Sequence, residues 1–163
     1  MPSRMEHRAS FATPADTVHA ALVDEAYLAD RLQALGGTNA SVMDRAEHNG
    51  EVTYRVRQGL AADHLPSAVR TLLKGDLVVD RTETWRADRT GTVTATIPGV
   101  PGEITGKSTL SDTADGSTWV TELEIRVSIP IVGGRIEKAI GEQVVKLLAN
   151  EAAFTEKWLA RQG

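Results

Sequence analysis

The chain has 163 residues, of which 41% are hydrophobic and 25% charged, and it carries a net charge of −4. This length and composition predict one globular domain and exclude a disordered chain. The 18 basic residues are interspersed with 22 acidic ones, so no nucleic-acid-binding surface is expected. The absence of cysteine excludes disulfides, thiolate zinc sites and a cysteine nucleophile. No apolar run approaches the ~20 residues that span a bilayer, so we expect a cytoplasmic protein without stable membrane insertion.

The chain begins with a predicted strand followed by two short helices. Residues 3–11 alternate between two faces, a period that is typical of a half-buried strand. We expect Thr13 to cap the first helix, with Pro14 at its first helical position, and Asp24 to cap the second. The glycines at 36–37 are expected to end that second helix.

Alternating segments then predict six further strands. The first two are joined at Asn49-Gly50, a dipeptide that favours a tight hairpin turn. A short helix near 65–74 interrupts the succession, and it either acts as a lid over a pocket or covers an open end of the core. The strands are predicted at about 38–48, 51–58, 76–86, 91–97, 103–113 and 117–129.

One long amphipathic helix closes the chain, from about Gly134 to Arg161. At 1.5 Å per residue such a helix is roughly 40 Å long, enough to cross a whole domain. Its apolar stripe comprises Ile136, Ile140, Val144, Leu147, Leu148, Phe154 and Trp158.

Segments at both ends of the chain resemble a known superfamily. Residues 11–22 and the pair Tyr27-Leu28 are similar to the entry motif of the SRPBCC superfamily, which includes START lipid-transfer domains and polyketide cyclase-like proteins. Residues 129–137 and 154–159 resemble an uncharacterised bacterial family within it. The resemblance spans the whole chain, and its motifs are structural, so it indicates fold more strongly than function.

This resemblance implies an α+β helix-grip fold over residues 1–163, forming one START-like domain. A curved antiparallel sheet of about seven strands would wrap around the C-terminal helix, with two short helices after the first strand. Superfamily members bind sterols, lipids, polyketides or hormones between sheet and helix, and a minority catalyse reactions. No shared catalytic motif exists to carry over, so no catalytic residue is assigned.

Two polar residues stand on otherwise apolar faces. Glu151 lies in the apolar arc of the last helix, between Leu147 and Phe154. It is either a structural ion-pair partner, or an acid at a groove edge, or a ligand-facing acid whose pKa burial raises. His7 shares a strand face with Met5 and is either a hydrogen-bonded core residue or a ligand contact.

Arg81 and Glu83 alternate with apolar residues along the strand at 76–86. If their face points inward, both charges line the cavity and orient a polar group of the ligand. If it points outward, they form an exposed ion pair that contributes little to stability. The sequence does not decide between the two faces, because a shift of one residue in strand register exchanges the inward and outward side chains.

We therefore expect intracellular binding or carriage of an apolar small molecule, such as a lipid, isoprenoid or polyketide-like compound. No cofactor is expected, and no metal either, because no histidine has an i, i+4 partner suited to a helical metal site. The expected ligand-binding residues are His7, Tyr54, Arg81, Glu83, Trp85, Leu123, Ile125, Val127, Ile140, Val144, Leu147, Leu148 and Glu151.

Two alternatives stay open at this stage. The first is an enzyme of the cyclase, dehydratase or hydrolase type that uses a cavity acid such as Glu151, although nothing in the sequence requires catalysis. The second is a module that binds a protein partner, which an interior filled by the protein's own side chains would favour. The sequence does not predict an oligomeric state.

Overall fold

The computed structural model describes residues 2–37, 40–60, 67, 70, 71 and 77–162. Its centre is a curved sheet of seven strands in the order β1-β7-β6-β5-β4-β3-β2, and all neighbouring strands are antiparallel. The strands are β1 (Ser3–Phe11), β2 (Ser41–His48), β3 (Glu51–Leu60), β4 (Leu77–Trp85), β5 (Thr90–Thr96), β6 (Gly102–Thr113) and β7 (Gly116–Val127).

Three helices lie wholly within the described residues: α1 (Ala15–Leu22), α2 (Glu25–Leu35) and the 30-residue α3 (Gly133–Gln162). The helix α3 packs on β1 and β7 and also contacts α1 and α2. The predicted α+β helix-grip fold is therefore confirmed. No helix within the described ranges combines the length and apolarity needed to cross a membrane.

The close approach of α3 to the sheet depends on Gly141. A Cβ at this position would overlap the side chain of Met5 on β1 and lie 3.1 Å from Cδ1 of Ile125 on β7. Near the start of the helix, Glu137 Oε2 accepts a hydrogen bond from the backbone N–H of Val127 at 2.8 Å. The carboxylate thus holds the start of the helix against the end of β7. The absence of a side chain at Gly141 allows the helix to pack closely against β1.

The helix boundaries agree with the predicted caps only in part. The carboxylate of Asp24 accepts a hydrogen bond from the N–H of Tyr27 at 2.9 Å, which confirms it as the cap of α2. The prediction for α1 is wrong by one residue, because Pro14 is the N-cap and the helix begins at Ala15. Since proline has no side-chain acceptor, Asp112 on β6 accepts from the N–H of Ala15 at 2.9 Å instead.

The strand boundaries also depend on long-range pairing. The last strand ends at Val127 rather than 129, because its partner β6 begins at Gly102, which pairs with Val127. The hairpin at Asn49-Gly50 is confirmed, since both residues have positive φ values, 52° and 80°.

Most of the helix predicted near 65–74 lies outside the described residues. Ser67, Arg70 and Thr71 are helical, and Thr71 Oγ1 donates to the carbonyl of Ser67 at 2.9 Å. The lid and core-cover interpretations of this segment stay predictions.

Candidate functional site

The inner face of the sheet is fixed by the register of β4 with its neighbours. Glu83 stands opposite Tyr54 of β3 and Val93 of β5. The inward side chains of β4 include Arg81 and Glu83, which are only 6% and 4% exposed. The open question of which face of this strand points inward is thereby settled, and the exposed ion pair is excluded.

Four charged side chains meet in the interior, and we call them the charge cluster: Arg31 of α2, Arg81 and Glu83 of β4, and Glu151 of α3. Each is at most 6% exposed. Because burial of an unpaired charge costs several kcal/mol, such residues are expected to stand next to opposite charges.

The charges alternate around the cluster. Arg81 donates from Nη1 to Glu151 Oε2 at 2.8 Å and from Nη2 to Glu83 Oε1 at 3.1 Å. Arg31 lies on the other side, with Nη2 3.9 Å from Glu83 Oε2 and Nε 3.9 Å from Glu151 Oε2. The Arg81 contacts are charge-assisted hydrogen bonds, whereas the Arg31 contacts are ion pairs beyond hydrogen-bond distance.

Neutral side chains surround the charge cluster. The hydroxyl of Tyr54 donates to Glu83 Oε2, and Gln58 Oε1 accepts from Arg81 Nη1 at 3.5 Å. The guanidinium of Arg31 lies over the ring of Tyr27, 5.7 Å from its centroid, a distance suited to a cation–π interaction.

Opposite charges favour the ionised forms of Arg81 and Glu151. Burial alone would raise the pKa of Glu151, but the guanidinium groups of Arg81 and Arg31 lower it further, so the net pKa lies below its ordinary value. Burial works against the charge of Arg81, yet Glu151 and Glu83 hold the pKa of Arg81 above its ordinary value. Of the alternatives for Glu151, the structure agrees with the ion-pair partner, and the direction of its pKa is opposite to that of a ligand-facing acid raised by burial.

Some buried polar atoms have no hydrogen-bond partner among the described residues. They are Nε and Nη2 of Arg31, Oε1 of Glu151, Nε1 of Trp119 and Nε2 of His19. Orphaned polar atoms in a protein interior call for a water molecule, an ion or a ligand.

A cavity of about 40 Å³ lies between the sheet and α3, beside the charge cluster. This volume exceeds the roughly 10–15 Å³ that a cavity needs to hold one water molecule. The polar part of its wall includes Arg81 and Glu83, and the remaining lining residues are Gln58, Val79, Val93, Ala95, Ile104, Ser108, Trp119, Thr121, Leu123, Val144, Leu147 and Leu148.

A larger concavity of about 790 Å³ lies on the other side of the sheet. Its rim carries exposed charges such as Glu6, Lys107 and Glu122 and the outward threonines Thr92 and Thr94. It is more open to solvent than the inner cavity, which lies next to the charge cluster. The inner cavity is therefore the better candidate for a ligand site.

The structure brings about half of the expected ligand-binding residues to the inner cavity. A second group lies deeper along α3, around a void of about 10 Å³, and comprises Ile125, Val127 and Ile140. Glu151 stands behind Arg81 in the charge cluster, and Tyr54 hydrogen-bonds Glu83. Those that line the cavity are Arg81, Glu83, Leu123, Val144, Leu147 and Leu148.

The two remaining expected residues lie near the site but not on the cavity wall. Trp85 is buried in the aromatic part of the core, 6.2 Å from Trp119 between ring centroids. His7 is half-buried on β1, opposite Thr121. Burial lowers the pKa of His7, although Glu151 acts in the opposite direction.

Arg31 was not singled out from the sequence, although its position in the helix could have indicated a buried charge. Arg31 follows Tyr27 by four residues and Leu28 by three, and it precedes Leu35 by four, so it lies on the apolar face of α2. This is the same pattern that pointed to Glu151. The partnership of Arg31 with the charge cluster depends on tertiary contacts and has no sequence signal.

The fold is that of solved aromatase/cyclase and START superfamily structures. The Zhui aromatase/cyclase from Streptomyces superposes with a TM-score of 0.70 at 12% identity, over 99% of this chain and 96% of that one. A START superfamily protein from Mycobacterium smegmatis superposes with a TM-score of 0.58 at 11% identity, over 98% and 99%. At these identities the likeness shows the fold alone.

Sequence comparison places the chain more narrowly. Residues 6–159 match the profile of the family described as "Protein of unknown function (DUF2505)", and the chain belongs to this family. Uncharacterized proteins of Mycobacterium tuberculosis and Mycobacterium bovis are each 31% identical to it over 170 residues, covering 98% of both chains.

Proposed function

We propose that this protein binds an apolar small molecule, such as a lipid, isoprenoid or polyketide-like compound, between the sheet and α3. The observation that carries the proposal is an inner cavity whose walls are mainly aliphatic and whose one side bears Arg81 and Glu83. Pockets for small molecules have this composition, with a few polar groups that set the orientation of an otherwise apolar ligand.

The proposal requires the cavity to widen, because about 40 Å³ does not accommodate such a molecule. Val144 and Leu147 of α3 line the cavity and are themselves partly exposed to solvent. This stretch of α3 is therefore the wall that a ligand would displace. Each apolar Å² removed from water would contribute about 25 cal/mol to binding.

Native mass spectrometry of the protein purified gently from its own host tests the proposal. We expect a discrete added mass that disappears on denaturation. The variant Val144→Trp should lose this mass, because an indole fills the cavity, while Ala149→Trp on the exposed side of the same helix should keep it. A mass retained by both variants would contradict the cavity site.

A second candidate function is recognition of a protein partner, and the small volume of the cavity favours it. An interior already filled by side chains needs no ligand. A clean apo mass together with a stable oligomer or complex in the same spectrum would favour this function over ligand carriage. The expected cytoplasmic location and the absence of nucleic-acid partners stay predictions.

A further inference from the structure

The charged part of the cavity wall belongs to a larger balanced group. Arg81 and Glu83 line the cavity, while Arg31 and Glu151 stand behind them and complete the charge cluster. The cluster contains two guanidinium groups and two carboxylates, and each of them is at most 6% exposed. The formal charge of the cluster is zero, so the wall has no excess of positive or negative charge.

The titratable neighbours within the described ranges do not change this balance at neutral pH. Burial lowers the pKa of His7, which is therefore neutral, and burial raises the pKa of Tyr54, which keeps its proton. The other polar residues on the cavity wall are Gln58, Ser108, Trp119 and Thr121, and none of them carries a charge.

Binding of an ionised ligand group next to this wall is unfavourable. Its carboxylate, phosphate or ammonium group would bring a fifth charge into the interior without a counter-charge. Competition of that group for Arg81 or Glu83 would leave one member of the cluster unpaired. Both outcomes leave a buried charge uncompensated.

An uncharged polar group finds suitable neighbours in the same place. Trp119 lines the cavity, and its Nε1 is buried without a hydrogen-bond partner among the described residues. Ser108 and Thr121 also line it, and their hydroxyl oxygens are 3.1 Å apart. A hydroxyl or carbonyl can exchange hydrogen bonds with these groups without disturbing the ion pairs.

We propose that this cavity selects uncharged ligands with a hydroxyl, carbonyl or amide group over carboxylates, phosphates and amines of the same size. The proposal rests on the binding function proposed above and narrows its ligand class. In this proposal the charge cluster disfavours ionised head groups. Trp119, as a hydrogen-bond donor, and the hydroxyls of Ser108 and Thr121 bind a neutral one.

Three probes of equal length and different charge test it at pH 7: decanamide, decanoate and decylamine. Isothermal titration of the wild-type protein should give a dissociation constant at least about ten-fold lower for decanamide than for either ion, a difference of about 1.4 kcal/mol. Val144→Trp should abolish that binding. Equal or tighter binding of decanoate or decylamine that Val144→Trp abolishes would overturn the charge selection and leave the cavity site intact, whereas binding of none of the probes would overturn both.

A single variant tests the cause of the selectivity. Glu83→Gln removes one carboxylate from the wall and leaves the cluster with a net positive charge, so the ratio of decanoate to decanamide affinity should rise about ten-fold or more. Glu122→Gln, which changes an outward residue of β7, should leave the ratio unchanged. The same rise in both variants, or no rise in Glu83→Gln, would overturn the assignment. The wild-type comparison still decides the proposal if Glu83→Gln does not fold.

Discussion

Arg81 holds the two carboxylates of the charge cluster in place. It hydrogen-bonds Glu151 on one side and Glu83 on the other, and it is itself buried. The removal of one partner from a buried ion pair is costly because the remaining charge has no counter-charge and no water. The charge cluster is thus a point where a single side chain links β4 to α3.

We expect Arg81→Met to lower the free energy of unfolding by about 3–5 kcal/mol, because Glu83 and Glu151 would then share only the distant Arg31. Urea denaturation measures this change. Arg57→Met on β3 is the matched control. Arg57 pairs with Asp80 at 2.8 Å, but its side chain is 42% exposed, so we expect a loss far smaller than that of Arg81→Met. Similar losses in the two variants would show that burial does not set the strength of the cluster.

The lowered pKa of Glu151 predicts a stability loss in acid. Its ordinary value is 4.5, and Arg81 and Arg31 bring it lower in the folded protein despite burial. A group whose folded pKa is depressed contributes its full stability above the unfolded value and loses it as the pH falls through the folded value. The free energy of unfolding should therefore decrease as the pH falls below 4.5.

Glu151→Gln should remove part of this acid dependence while lowering stability at pH 7. Urea unfolding at a series of pH values between 7 and 3 measures both effects. Glu156→Gln, at an exposed position of the same helix, is the control and should keep the wild-type slope. A Glu151→Gln slope equal to that of the wild type would contradict an ionised, ion-paired Glu151.

At the scale of elements, the position of α3 depends on its contact with β1. Gly141 lies where any side chain would meet Met5, and Gly134, near the start of the same helix, has no atom of the described residues within 4 Å of a Cβ built there. The same substitution can therefore be compared at a crowded position, Gly141, and at an open position, Gly134.

We expect Gly141→Leu to lower the free energy of unfolding by about 1–3 kcal/mol, since the added carbons displace Met5 and push the helix from the sheet. Gly134→Leu should change it by less than about 1 kcal/mol in either direction, because helix propensity improves and nothing is displaced. Thermal and urea denaturation compare the two variants. Equal effects would show that α3 does not depend on close approach at Gly141.

The sequence predicted the elements well because each has a local period. The alternation of β7, the stripe of α3 and the dipeptide Asn49-Gly50 are all readable within a few residues. The same reasoning singled out Glu151, whose neighbours at helical spacing are apolar. Secondary-structure elements, and polar residues on otherwise apolar faces, can therefore be predicted from local sequence patterns.

The partners of the anomalous residues were not predictable in this way. Arg81 and Glu151 are 70 positions apart, and their meeting depends on which face of β4 points inward. That choice follows from the register with β3 and β5, and a shift of one residue would have placed both charges of β4 outside. The cap of α1 shows the same dependence, because its acceptor Asp112 is 97 residues from Ala15.

At the scale of the whole molecule, the sheet and α3 enclose an interior that is mostly filled. The inner cavity beside the charge cluster is about 40 Å³, while the outer concavity measures about 790 Å³. Size alone would favour the outer surface as the ligand site. Its lesser exposure to solvent, its aliphatic lining and the adjacent charge cluster favour the inner cavity as the ligand site, as the proposed function requires.

Methyl-labelled protein with decanamide tests that claim most directly, through intermolecular nuclear Overhauser effects between ligand and methyl protons. We expect contacts to the methyl groups of the inner wall, at Leu123, Val144, Leu147 and Leu148. Contacts confined to the outer threonines Thr92, Thr94 and Thr105 would place the ligand on the other side of the sheet and contradict it.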